Sequence, residues 1–198
     1  MGWRNVNLVQ RCVCAAALAL AAWAAGAYPD LFILERTAVA SGELWRLWTG
    51  HLVHGSATHY AYDVGAFVLL CGVYGPRLRL LWLAPLIGVA LLVWLPNMQY
   101  YYGLSALLHA WAVMIMAEIW REECGLRSYF AALLALGVFA KALLETGLGA
   151  SVFTADINFG GPVLHASHLV GATVGLVASC ACYLRLPRTQ ATNLQKGP

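Results

Sequence analysis

Apolar stretches, each closed by a short cluster of Arg, Pro or Gly, alternate along the chain over residues 12–28, 58–73, 78–95, 103–120, 129–148 and 162–184. Crossing the hydrocarbon core of a bilayer takes roughly 20 apolar residues in a helix. The pattern therefore predicts six transmembrane helices joined by short connections, an all-α membrane protein with one domain over residues 1–198. The residues 190–198 are polar and read as a disordered tail.

The cations sort the ends of these stretches. Arg4, Arg11, Arg77, Arg79, Arg121, Arg127, Arg185, Arg188 and Lys196 all fall on one side; the other side has only Arg36 and Arg46, and residues 96–102 and 149–161 carry none. Positive charge is retained on the cytoplasmic side, so both termini are expected there. One other reading of the start exists. Ala25-Gly26-Ala27 ahead of Tyr28-Pro29 also suits a secretory signal with a small-residue cleavage site, which would leave five spans and the other orientations unchanged.

Composition agrees with this picture. At 61% hydrophobic and 11% charged residues, with a mean hydropathy of +0.69, the apolar surface exceeds what one soluble core can hide. The net charge of +3 is accounted for by loop cations, and nucleic-acid binding has no support. Cys12, Cys14, Cys71, Cys124, Cys180 and Cys182 all map to the cytoplasmic half, where reduced thiols are expected. The Cys-x-Cys spacings are shorter than those of ordinary metal sites.

Polar residues inside spans are costly in lipid and mark function by default. Here they gather at one depth, near the outer ends of three inward-running helices. The second stretch begins with His59 and Asp63 after His51 and His54; the fourth has Ser105 and, one turn deeper, His109; the sixth has His165 and His168. His51 and His54 precede their span and read as interfacial or structural. Lys141 and Glu145, spaced i, i+4, most simply neutralise one another. Gly103 removes a side chain where the fourth helix must start close to a neighbour, and Ser105 in its first turn lies near unpaired backbone donors suited to an oxyanion. Gly171 and Gly175 form a small-xxx-small pair that permits close helix contact after His168.

These residues resemble the rhomboid family of intramembrane serine proteases. The resemblance is carried by Glu43-Leu44-Trp45-Arg46, by His54, His59 and Asp63, by Gly103-Leu104-Ser105-Ala106, and by His168 with Gly171 and Gly175, in that order along the chain. It implies a six-helix rhomboid bundle with Ser105 as nucleophile and His168 as general base, and with His59 and the Ser105 amide as oxyanion donors supported by Asp63, Gly103 and His54. It implies no metal and no cofactor. Two positions depart from the family pattern: Ala106 stands where Gly is usual, and Asp63 where Asn is usual. An ionised carboxylate beside an oxyanion repels it, so Asp63 is expected either to be protonated in the active form or to turn away and orient a histidine.

The short loops and the run Gly103 to His109 look like the rhombosortase branch. That implies a bacterial inner-membrane protein whose site opens to the periplasm. Its substrate would be a transmembrane protein carrying a C-terminal Gly-Gly motif, an apolar helix and a basic tail. The loop from Gly147 to Gly161, with Phe153 and Phe159, reads as a mobile cover over the site. Two other classes compete. One is a His-rich metal-binding membrane protein using His51, His54, His59, His109, His165, His168 and Asp63, although HExxH is absent. The other is a catalytically inactive client-binding relative, favoured by Asp63 and Ala106. His109 and His165 stand as rival bases to His168.

Overall fold

The computed structural model describes residues 7–75, 82–152 and 163–185, and these are mostly helical. Its long helices are α1 (Leu8–Gly26), α5 (Ala57–Tyr74), α6 (Leu83–Trp94), α7 (Ser105–Glu122), α8 (Leu126–Leu148) and α9 (Ala166–Arg185). Each overlaps one of the six apolar stretches. Between α1 and α5 lie the short helices α2 (Pro29–Phe32), α3 (Arg36–Ala40) and α4 (Arg46–Thr49), with the strand β1 (Leu34–Glu35); β2 (Tyr100–Tyr101) precedes α7.

Local chemistry sets the boundaries. Asn7 and Gln10 form a reciprocal capping box at the start of α1, and the Ser56 hydroxyl accepts from the His59 amide at the start of α5. Gly149 closes α8 in the left-handed conformation at φ 64°. Helix α6 is the shortest of the six, with 12 residues from Leu83; residues 78–81 of the expected third span lie outside the described residues. Residues 153–162 of the expected cover loop, Phe153 and Phe159 included, also lie outside them.

Helix α7 is the centre of the core, burying Ala106, Leu107, Leu108, Ala110, Trp111, Val113, Ile115 and Met116. Helix α9 lies hard against it. A Cβ on Gly171 would collide with the carbonyl of Ala106, and one on Gly175 with that of Ala110, so the two backbones touch where glycine faces alanine. Phe67 of α5 packs on Trp111 with ring centroids 5.2 Å apart. Helix α1 packs on α5: Tyr60 Oη donates to Ala19 O (2.9 Å) and the Arg11 guanidinium to Gly72 O (2.6 Å).

Helices α1 and α8 are long and apolar enough to cross a membrane. Leu133, Leu134, Leu136, Leu143 and Leu144 on α8, and Val68, Leu69 and Val73 on α5, are exposed. Apolar faces of that extent call for an apolar surrounding.

The segment between α1 and α5 carries structure that the apolar pattern does not indicate. Strand β1 pairs antiparallel with β2, in the register Leu34 with Tyr101 and Glu35 with Tyr100. Arg36 donates to the carbonyls of Leu92 and Leu95 at 2.8 Å each and of Met98 at 2.9 Å, serving orphan carbonyls at the end of α6. Arg46 is buried, bonded to Glu43 (2.7 Å) and to Ile33 O (2.8 Å). The two cations on the sparse side of the chain are therefore both used to hold backbone. Gly50 accepts from the Gly103 amide at 3.2 Å, and a Cβ on Gly50 would lie 2.6 Å from Leu34 Cβ. Through these contacts the segment sets the position of the turn ahead of Ser105.

Candidate active site

Ser105 is the first residue of α7. The turn before it is held from two sides: Tyr101 Oη donates to Gly103 O (2.6 Å), and the Leu104 amide donates to Asp63 Oδ2 (2.7 Å). Gly103 has φ 112°, and a Cβ there would lie 2.8 Å from His59 Nε2 and 3.2 Å from Asp63 Oδ2. Only glycine fits both the backbone angle and the space. The Tyr101 hydroxyl also faces the Ala106 amide and the Ser105 hydroxyl, and burial pushes that phenol above its ordinary pKa.

Asp63, 7% exposed, is an acceptor hub. Besides the Leu104 amide, its Oδ2 has His54 Nε2 and His59 Nε2 each at 3.3 Å. The His54 contact is electrostatic and lacks hydrogen-bond alignment, while His54 Nδ1 bonds Leu52 O at 2.9 Å. Asp63 thus faces the groups that an orienting role would use. Its carboxylate points into the turn and two imidazoles. His51 sits apart, 1% exposed, with Nε2 on Ala84 O (3.0 Å) and its ring edge-on to Tyr101. Burial holds its pKa down at about 4. It is a structural residue of the loop.

One cavity of about 310 Å³ lies among α5, α7, α8 and α9, and His59, Asp63, Ser105, His109, Glu145 and His168 line it. Of the groups that the sequence expectation placed in one layer, the structure brings His59, Asp63, Ser105, His109 and His168 to this one cavity. Among the described residues no hydrogen bond joins Ser105 to His168, so the dyad is not closed here. His109 is placed beside His168 rather than across from Ser105. The two rings stack at 4.3 Å and 10°, and His109 Nδ1 donates to Ser105 O (2.7 Å). His165 bonds Ser151 Oγ at 3.0 Å.

The sequence reading missed three participants. Glu145, 1% exposed, does more than neutralise Lys141: its Oε2 accepts from Lys141 Nζ (2.7 Å) and from His168 Nδ1 (2.9 Å), and its Oε1 from the Val152 amide (3.0 Å). An acidic residue in an apolar helix was a signal, but the i, i+4 lysine was a sufficient local explanation for it. Tyr101 and Ser151 gave no signal, because each depends on contacts across the fold. Among the described residues, no three His, Cys, Asp or Glu side chains converge to hold one metal ion.

Compared with family models, with curated proteins and with solved structures, the chain matches none.

Proposed function

We propose that this protein is an intramembrane serine endopeptidase of rhomboid type, a six-span bundle in a bacterial inner membrane with both termini cytoplasmic and the site open to the periplasm. The observation that carries the reading is one cavity onto which Ser105, His168 and His59 converge from three helices. Ser105 Oγ attacks the scissile carbonyl carbon as its proton passes to His168 Nε2; His168 then protonates the leaving amine as the C–N bond breaks, and water releases the acyl group by the reverse transfers. The Ser105 amide, at a helix start with no intrahelical partner, and the His59 N–H receive the oxyanion. At 3.3 Å the His59–Asp63 contact is weak enough for that N–H to turn toward the developing charge. The substrate is a transmembrane protein, of the kind bearing a C-terminal Gly-Gly motif, an apolar helix and a basic tail, cut just outside the membrane.

The open Ser105–His168 pair favours a second reading, an inactive client-binding protein, although catalytic hydrogen bonds are often long without substrate. Fluorophosphonate labelling in detergent separates the two readings. The native chain, Ser105→Ala, His168→Ala and Ser151→Ala are compared with and without chelator. Chelator-independent labelling lost in the Ser105 and His168 variants supports the protease. Absence of labelling supports client binding, chelator-sensitive labelling the metal reading, and loss only in Ser151→Ala would move the nucleophile to the Ser151–His165 pair.

A further inference from the structure

We infer that Glu145 is a positioning residue for His168, so that the site works as a Ser105–His168–Glu145 relay rather than as an isolated pair; this builds on the reading of Ser105 as nucleophile. The carboxylate is 1% exposed, and among the described residues its partners are all donors: Lys141 Nζ, the Val152 amide and His168 Nδ1. Salt-bridged to Lys141, it is a carboxylate and carries no hydrogen to share, so the hydrogen between Oε2 and Nδ1 belongs to the imidazole. That assigns the tautomer. With Nδ1 protonated, the lone pair of neutral His168 is on Nε2, the form a general base requires.

The ring plane is fixed as well. His109 stacks on one face of His168 and Glu145 holds its far edge, which leaves rotation about the Cβ–Cγ bond little room. During acyl transfer one proton moves from Ser105 Oγ to Nε2, and the Nδ1 proton stays where it is. Glu145 remains ionised and faces the new imidazolium. Other groups near the ring are Lys141 on α8, His165 on α9, His109 on α7 and, farther off, Asp63 on α5. Lys141 binds the same oxygen as His168, so the carboxylate acts partly neutralised. The effect of losing it is therefore expected to be smaller than the roughly 10⁴-fold seen when soluble triads lose their acid.

The test is the kinetics of fluorophosphonate inactivation on the full chain in micelles. Native labelling must first depend on Ser105; if it does not, the protease reading fails, independently of Glu145. Given that dependence, Glu145→Gln is expected to lower the inactivation rate constant about 100-fold with little change in the inhibitor's apparent affinity. Glu145→Asp should recover about a tenth to a half of the native rate, because a shorter carboxylate can still accept from Nδ1. The double variant Lys141→Met with Glu145→Gln removes the stranded ammonium and should be as slow as Glu145→Gln. A rate for Glu145→Gln within twofold of native would overturn the inference. Imidazole ¹⁵N spectra of the native protein give an answer that needs no variant to fold: His168 protonated at Nδ1 is expected, and a neutral ring protonated at Nε2 instead would overturn it.

Discussion

His109 and His168 lie face to face, their ring centroids 4.3 Å apart and 10° from parallel, although one belongs to α7 and the other to α9. The contact exists because Ala106 and Ala110 let Gly171 and Gly175 bring the two backbones together. It also sets apart two histidines that the sequence left as rivals: His168 is held by Glu145, and His109 by the Ser105 carbonyl. If His168 is the base, as proposed, a ring stacked on it with its Nδ1 hydrogen on the Ser105 carbonyl has a supporting part.

His109→Tyr, which keeps an aromatic face, should retain fluorophosphonate labelling within about tenfold of native, and His109→Ala should be slower than His109→Tyr, since an aromatic stack is worth about 0.5–1.5 kcal/mol. Measured labelling rates check this. Complete loss in both would make His109 the base.

Asp63→Asn should keep activity within about tenfold, because an amide oxygen can still accept the Leu104 N–H. Asp63→Ala should lose about 100-fold or more, as the buried amide would be left unpaired at about 1–3 kcal/mol and the turn before Ser105 released. Labelling rates of the two variants, read against yields of folded protein, measure the difference.

Gly171→Ala places a methyl group against the Ala106 carbonyl and must push α9 from α7. Overpacking of this kind costs about 1–3 kcal/mol. The melting temperature in detergent should fall by several degrees, and labelling with it, since the same displacement moves His168. A variant as stable as native would show that α9 has room to shift.

Acid should destabilise the fold through His51. Its folded pKa is about 4 against an ordinary value near 6.5, so the unfolded chain takes up the proton first as pH falls. Stability from this residue is intact above pH 6.5, is lost between 6.5 and 4, and changes no further below 4, a total of about 3 kcal/mol at 1.36 kcal/mol per pH unit. His51→Gln, which retains a donor for Ala84 O, should flatten that limb in a melting-temperature series from pH 7 to 4.

By itself the sequence determined where the long helices form, because six long apolar stretches closed by Arg, Pro and Gly leave few alternatives at 1.5 Å per residue; it gave no sign of the short helices α2, α3 and α4. It also determined which polar residues share a depth: His59, Asp63, Ser105, His109 and His168 stand in the first turns of their helices, and helical rise converts position into height. Gly103 was legible for the same reason, since a glycine just ahead of a helix start marks a tight approach. What distance along the chain cannot encode is which side chains meet across helices. Only packing of α8 against α9 decided that Glu145 serves His168 as well as Lys141, and only the pairing of β1 with β2 carried Tyr101 under the turn of Ser105. Those choices depend on the rotation of each helix about its own axis. That rotation is set by side chains fitting at contacts far apart in sequence, as glycine against alanine does between α9 and α7.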